Sequence, residues 1–213
     1  QWSDAGMEDL ADNYLQSSPE KALALINDMR DDKDWKLRKK VAESLIQANN
    51  LEKNQDYNDA AIELTKIRFF HYNDINDGII GKISYLFDKA GNTQAAYDSL
   101  AVKFAKTPTD RLNDALNLYG KKLGMNKEQV AKNVGTLRYN NATPAYPFDL
   151  EQYNNNEKLS LESLKGKVVL LTFWFPACNP CRAEFPHFQA VIDKFKSEDV
   201  AYIGINVSPH QDT

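Results

Sequence analysis

Cysteine is scarce in this chain: its 213 residues contain two, and both lie in the segment Cys178-Asn179-Pro180-Cys181. No cysteine remains for a structural disulfide elsewhere, so thiol chemistry is confined to this pair. Long apolar runs are also missing. The longest, from Val168 to Ala177, is about half of the roughly 20 residues that a membrane-spanning helix needs. We therefore predict no membrane-spanning segment.

An excess of positive charge is lacking as well. The chain has 26 Lys and Arg residues against 30 Asp and Glu residues, a formal net charge of -4, and 42% hydrophobic residues. This balance gives no global attraction for phosphate backbones, and no short segment concentrates basic residues strongly. We expect a globular protein that does not bind nucleic acid. The composition excludes disorder and fibrous repeats.

Residues 1–138 are predicted to form an all-helical domain of seven or eight helices. Apolar residues recur three and four positions apart, as at Leu23 and Ile26 and again at Val41 and Leu45. This spacing places them on one face of a helix. No strand is predicted in this region.

Helix boundary signals support this prediction. The pair Ser18-Pro19 and the residues Asn92 and Asn126 are typical helix starts, because their side chains or fixed backbone suit the first turn. Gly91 and Gly124 follow apolar helical runs and are typical helix ends.

The helices are predicted to pack in pairs. The stretch from Ile83 to Pro108 resembles a tetratricopeptide repeat, with Ala96 as the small residue where two helices cross and Pro108 at the end of the unit. Weaker similarities around residues 59–64 and 20–25 give a spacing of about 36 residues. Stacked helix hairpins of this type and an unrelated helical bundle both fit the pattern.

A polar segment punctuated by prolines, residues 139–147, is predicted to link this domain to a second one. In residues 148–213, apolar residues alternate on both sides of residues 154–156 and predict a hairpin. Residues 168–175 predict a strand buried on both faces. A helix over 182–195 and a strand over 201–207 then complete a parallel α/β unit.

The cysteine pair follows the buried strand. Cys178 is expected at an exposed helix N-terminus, where unpaired backbone N–H groups favour a thiolate. Cys181, one turn further and deeper, could attack a mixed disulfide formed at Cys178. Cys178 is thus the predicted nucleophile and Cys181 the resolving thiol. Asn179 and Pro180 are expected to influence the reduction potential, and Arg182 either adds positive charge beside the pair or points to water.

The segment from Phe173 to Pro186 resembles the active-site segment of thioredoxin-like proteins, especially the TlpA-type thiol:disulfide oxidoreductases of bacteria. Pro186, five residues after Cys181, corresponds to the helix-kinking proline of that superfamily, and residues 163–167 resemble its lead-in turn. The resemblance covers about residues 145–213. It implies exchange with protein thiols and disulfides, a possible partner reductase, no cofactor, and an extracytoplasmic location, periplasmic or membrane-anchored.

Three features depart from the family pattern. Ala177 replaces an aromatic residue before the first cysteine, so partner recognition is expected to differ. Thr172 stands where thioredoxins carry a buried Asp, so the resolving step is expected to be slower. The family pattern continues beyond Thr213 with a cis-proline loop, so we expect an incomplete thioredoxin-like domain with little activity as it stands. Because the chain begins at Gln1 without Met or an apolar leader, we expect any signal or anchor to lie outside it.

Other roles for these residues compete with redox chemistry. Zinc sites generally have four ligands. Besides the cysteines, the histidines of the chain are His71, His187 and His210, so no metal site is predicted. Trp174 is expected in the core, and Glu184 either assists proton transfer or lies on an exposed helix face.

Two alternative functions remain open for the whole chain. One is an interaction module in which the cysteine pair is peripheral and the helical domain binds the partner. The other is a thiol peroxidase, because peroxiredoxins share this scaffold. Their Pro-x-x-x-Thr/Ser-x-x-Cys segment is not matched, since Pro180 and Ala183 stand four and seven residues after Pro176. The sequence therefore favours a disulfide-exchanging enzyme whose helical domain recruits or orients its partners.

Overall fold

A computed structural model of the chain describes residues 4–29, 32–67, 75–153, 155–195 and 199–208. Its contacts divide the chain into two compact units, Gln1–Ala142 and Thr143–Thr213. The described part of the first unit is helical, whereas all the described strands belong to the second. No helix in these ranges is both long and apolar enough to span a membrane.

The first unit, here the helical unit, confirms the helical character predicted from the sequence. Its last helix continues to Asn140, so the first two residues of the predicted linker 139–147 are helical. The helices in its described residues are α1 (Asp4–Ser17), α2 (Pro19–Asn27), α3 (Lys33–Lys53), α4 (Tyr57–Thr65), α5 (Ile75–Lys89), α6 (Thr93–Lys106), α7 (Asp110–Lys122) and α8 (Lys127–Asn140).

Local side-chain and backbone chemistry sets several of these boundaries. Asn126 accepts a hydrogen bond from the amide of Gln129, whose side chain accepts one in return, so α8 begins with a capping box. The side chain of Asn92 caps α6 by accepting a hydrogen bond from the amide of Ala95, without a reciprocal side-chain bond. Gly91 and Gly124 follow α5 and α7 with φ of 81° and 77°, a backbone conformation that strongly favours glycine.

The core of the helical unit forms between consecutive helices. Each helix packs against the next in sequence, and α6 also packs against α8. Ala96, the predicted crossing residue, is fully buried, as are Leu64, Leu100 and Leu116. Gly120 allows a close approach of α7 to α8, because a Cβ atom there would lie 2.6 Å from Val130 Cγ2. Pairwise packing is present, and the tetratricopeptide type stays a prediction.

The second unit contains a hairpin and a parallel strand pair. Its elements are β1 (Asp149–Glu151), β2 (Lys158–Ser160), β3 (Val168–Trp174), α9 (Asn179–Lys194) and β4 (Val200–Asn206). β1 and β2 pair antiparallel, as the alternating pattern predicts. β3 and β4 pair parallel, with Leu170 opposite Tyr202 and Trp174 opposite Asn206, so α9 is the crossover helix between them.

The prediction that β3 is buried on both faces is wrong for this structure. Val168, Leu171 and Phe173 are 69%, 36% and 63% exposed. Among the described residues the sheet has only two strands, and α9 contains no buried residue. The apolar run recognised in the sequence therefore forms a strand, but the structure leaves much of its surface uncovered.

Candidate active site

The cysteine pair lies in the turn that joins β3 to α9. Cys178 and Cys181 form a disulfide, with their Cα atoms 5.3 Å apart. The amide of Cys178 donates to the carbonyl of Phe175 at 3.0 Å, which closes the turn. Cys178 is the N-cap residue of α9, and its Sγ accepts a hydrogen bond from the Cys181 amide at 3.2 Å. A helix N-terminus favours negative charge, so this sulfur lies where a thiolate is stabilised.

The relative exposure of the two cysteines is opposite to the prediction. Cys178 is buried, with 7% of its surface exposed, whereas Cys181 is only partly buried. The N-cap position explains the burial of Cys178, because its side chain folds back over the first turn of α9. Cys181 belongs to a helix without buried residues, so solvent reaches it.

Arg182 turns back toward the active-site turn. Its Nη2 donates to the carbonyl of Pro176 at 2.6 Å, although the side chain remains exposed. The guanidinium therefore adds positive charge near the segment that holds Cys178, which favours an anion there. Asn179 and Pro180 form the exposed start of α9. Pro180 causes no loss of an intrahelical bond, because first-turn N–H groups have no acceptor in the helix.

Two aromatic contacts attach α9 to one face of the sheet. Trp174 meets Phe185 edge to face, with ring centroids 5.8 Å apart. Phe188 stacks on Tyr202 at 5.4 Å. Such pairs contribute roughly 0.5–1.5 kcal/mol beyond the area that they bury. The sequence analysis expected Trp174 in the core, but the structure leaves it only partly buried, and neither its partner ring nor the second pair was predicted. The signal was the three-residue spacing of Phe185 and Phe188, which places both on one face of α9.

Thr172 occupies the position at which thioredoxins carry a buried Asp, and its hydroxyl forms a hydrogen bond with another hydroxyl. Its Oγ1 lies 3.0 Å from the hydroxyl oxygen of Tyr202 on β4. The side chain of Glu184 is exposed on α9, as expected for a residue on a solvent-facing helix face. Pro186 lies inside α9, where the missing amide removes the hydrogen bond to the carbonyl of Arg182.

The candidate zinc ligands do not converge in the part of the chain that the structure describes. No group of three or more His, Cys, Asp or Glu side chains that could hold a metal occurs there. His187 is exposed on α9, and His71 and His210 lie outside the described residues. The chemistry that the described groups support is the making and breaking of the disulfide itself.

Comparison with known proteins gives matches over a minor part of the chain. Residues 142–213 match the AhpC/TSA family. The thiol-disulfide oxidoreductase ResA of Bacillus subtilis (strain 168) is 42% identical over 60 residues, which cover 28% of this chain and 33% of that protein. ResA of Halalkalibacterium halodurans is 36% identical over 64 residues, covering 30% and 36%.

A third relative, Protein DipZ of Mycobacterium bovis, is 37% identical over 51 residues, which cover 24% of this chain and 7% of that protein. The chain spans about a third of the length of the ResA relatives that it matches. No solved structure matches it significantly. The family match begins at residue 142 and so does not include helices α1–α8.

Proposed function

We propose that this chain, whose residues 142–213 are a thioredoxin-like domain of the redoxin superfamily, exchanges disulfides with partner proteins. The observation that carries the proposal is the position of Cys178 at the N-terminus of α9. Its Sγ accepts a hydrogen bond from the amide of Cys181. Its disulfide partner is one helical turn away. This arrangement supports a nucleophilic thiolate at Cys178 and a resolving thiol at Cys181.

The exchange proceeds in two balanced steps. The Cys178 thiolate attacks one sulfur of a substrate disulfide, forms a mixed disulfide and releases the other substrate sulfur as a thiolate. Cys181 then loses its proton and attacks Cys178 Sγ, which releases the second substrate thiolate. The enzyme pair is oxidised by two electrons and the substrate disulfide is reduced by two, with protons taken up by the released thiolates. The reverse sequence oxidises a substrate dithiol.

Other side chains support these steps without forming bonds to the substrate. Arg182 adds positive charge at the turn, which favours the attacking thiolate. The Trp174–Phe185 and Phe188–Tyr202 contacts hold α9, and with it both sulfurs, against the sheet. Precise positioning matters because in-line attack on a disulfide depends on the orientation of the attacking sulfur.

We assign the recruitment or orientation of partner proteins to the helical unit, and we locate the protein outside the cytoplasm. The TlpA-type resemblance of residues 145–213 supports the location. The sheet exposes apolar side chains at Leu171 and Phe173. We therefore expect low insulin-reduction turnover from the 213-residue chain, since a weakly covered sheet holds the active-site helix less rigidly.

A single round of disulfide exchange tests the proposal and does not require repeated catalytic cycles. The reduced chain is mixed with the aromatic disulfide 5,5′-dithiobis(2-nitrobenzoate), and released thiolate is followed by absorbance. We expect two thiolates per wild-type chain, one per Cys181→Ser chain with a stable adduct at Cys178, and background rates for Cys178→Ser. Ala131→Ser, on the exposed face of α8, is the control and should behave as wild type. A rapid reaction of Cys178→Ser would contradict the assigned roles.

The match to the AhpC/TSA family motivates one competing assay. A thiol peroxidase would form a sulfenic acid at its nucleophilic cysteine when treated with hydrogen peroxide. We expect slow oxidation of the reduced chain by peroxide and fast exchange with disulfides. A faster reaction with peroxide than with the aromatic disulfide would favour the peroxidase.

A further inference from the structure

A groove lies in the helical unit between α3 and the end of α4. It has a volume of about 970 Å³ and is lined by four lysines and two glutamates among its charged residues. Its apolar lining includes Leu37, Val41 and Ile67, of which Val41 and Ile67 are buried. We call it the lysine groove, after Lys33, Lys36, Lys40 and Lys66. The groove belongs to the helical unit, and the cysteine pair belongs to the other unit.

Three of these lysines follow one face of α3. Lys33, Lys36 and Lys40 are spaced by three and four residues, so their side chains point the same way. All three are exposed, and Lys33 and Lys36 lie in the first turn of the helix, where the helix dipole disfavours cations. These two charges therefore do not stabilise the helix through its dipole. In a chain with a net charge of -4, this face is a local concentration of positive charge, contrary to the expectation that no short segment concentrates basic residues.

The buried carboxylate in the groove is already neutralised. Glu63 is 8% exposed, accepts the hydroxyl of Ser44 at 3.1 Å and pairs with Lys66 Nζ at 2.6 Å. Because both carboxylate oxygens have partners, Glu63 does little to repel an incoming anion. Lys33 and Lys40 then outnumber the other carboxylate of the lining, Glu43.

We propose that the lysine groove binds an extended acidic segment of a partner protein, in which carboxylates recur every third residue and apolar residues lie between them. Lys33 and Lys40 are separated along α3 by about 10 Å, at 1.5 Å per helical residue. A chain in the extended polyproline II conformation brings every third residue to the same face and covers about 9 Å in three residues, at 3.1 Å per residue. Carboxylates at this spacing could pair with the lysines while apolar side chains contact Leu37, Val41 and Ile67. A concave site with a positive rim and an apolar floor fits a single segment of this kind better than it fits a flat partner surface.

This surface would supply the recruiting role that we propose for the helical unit. Its test does not involve either cysteine, so its failure would leave the exchange chemistry intact. The probe is a fluorescein-labelled, acetylated and amidated heptapeptide with Glu at positions 1, 4 and 7 and Leu at the other four positions. Its binding to the full chain is measured by fluorescence anisotropy. The same peptide with Gln in place of Glu is the uncharged control.

Charge reversal at Lys33→Glu/Lys40→Glu should weaken binding about tenfold or more. The matched control is Lys21→Glu/Lys132→Glu, which has the same net charge and changes an exposed first-turn lysine of α2 and an exposed interior lysine of α8. It should bind within about twofold of wild type. Glutamate in place of Lys33 is favourable at a helix N-terminus, so a loss of peptide binding would not be due to unfolding. Circular dichroism of both variants checks that the fold is kept.

Three results would overturn the proposal. One is equal binding of the Glu and Gln peptides. The second is an equal loss of affinity in the groove variant and its matched control, which would show a response to net charge alone. The third is binding to phosphatidylglycerol vesicles that displaces the peptide and disappears in Lys33→Glu/Lys40→Glu, because the groove would then recognise a membrane surface.

Discussion

The two units of this chain differ in how they use apolar residues. The helical unit encloses its apolar side chains, and Leu64, Leu86, Leu100 and Leu116 are completely buried. In the described part of the second unit, the buried hydrophobic residues are Leu164 and Cys178. Phe173 and Phe175 of the second unit are 63% and 40% exposed.

This difference assigns most of the stabilising core to one unit and the reactive cysteines to the other. Burial of apolar surface is the main favourable term in folding, so the helical unit holds most of the stabilising core. Within the described residues, the cysteine pair lies at the start of a helix that two aromatic contacts attach to a two-stranded sheet. Short sheets of this kind are marginally stable unless other elements cover them.

Separating the units should give the largest effect. We expect residues 1–142 alone to keep a helical circular dichroism spectrum and to melt cooperatively, because consecutive helices cover each other's apolar faces. Residues 143–213 alone should show no cooperative melting. A cooperative transition in the second fragment, or a disordered spectrum from the first, would reverse the comparison.

A matched pair of leucine truncations should give the next largest effect. Leu116 is 0% exposed and Leu171 is 36% exposed. Leu116→Ala should destabilise the helical unit by about 2–5 kcal/mol through the cavity that it leaves. Leu171→Ala should cost less than about 1 kcal/mol, because the side chain is already in contact with solvent. Hydrogen exchange of α7 and β3 peptides measures both, and equal losses would contradict the difference in packing.

Much of the fold was predictable from local sequence patterns. Helical spacing and the caps at Asn92 and Asn126 predicted α-helices, and the strand–helix–strand order around Cys178 predicted the parallel pair. Burial was not predictable in the same way. The apolar run of β3 has the pattern of a central strand, but its exposure depends on which other elements pack against it.

The active site shows the same limit. The spacing of Cys178 and Cys181 predicted their proximity, because residues three apart lie on one side of a helix. The reversed exposure follows from N-cap geometry, and the Thr172–Tyr202 hydroxyl pair joins residues 30 positions apart. The lysine groove likewise depends on how α4 packs against α3. Contacts of this kind are not encoded in local periodicity.

Glycine substitutions in the helical unit should give an intermediate effect. At Gly120, a new Cβ would meet Val130 Cγ2 at 2.6 Å, so Gly120→Ala should cost about 1–3 kcal/mol. At Gly135 in α8, no atom lies within 4 Å of the new Cβ. Gly135→Ala should therefore stabilise the helix by about 0.5–1 kcal/mol. Urea unfolding followed by circular dichroism measures both, and shifts of the same sign would contradict the close approach of α7 and α8.

The ion pair between Asp88 and Lys122 should give the smallest effect. The hydrogen bond from Lys122 is the main cause that lowers the pKa of Asp88 below its ordinary value of 3.8. A depressed carboxyl pKa stabilises the folded state above the unfolded pKa, and this contribution is lost as the pH falls through the folded pKa.

Asp88→Asn should thus lower stability by less than about 1 kcal/mol at neutral pH, because solvent screens the pair. The difference from wild type should shrink as the pH falls below 3.8. Urea unfolding at neutral and acidic pH measures it. A difference that grew toward acidic pH would show that another group is responsible.

The alkylation rates of the two cysteines test the central assignment most directly. The reduced protein is treated with iodoacetamide at neutral pH, and modification of each sulfur is followed by mass spectrometry. Exposure alone would favour Cys181, whereas the amide of Cys181 and the N-terminus of α9 favour a thiolate at Cys178. We expect Cys178 to react well before Cys181. Comparable rates, or faster modification of Cys181, would contradict the assignment of Cys178 as the nucleophile.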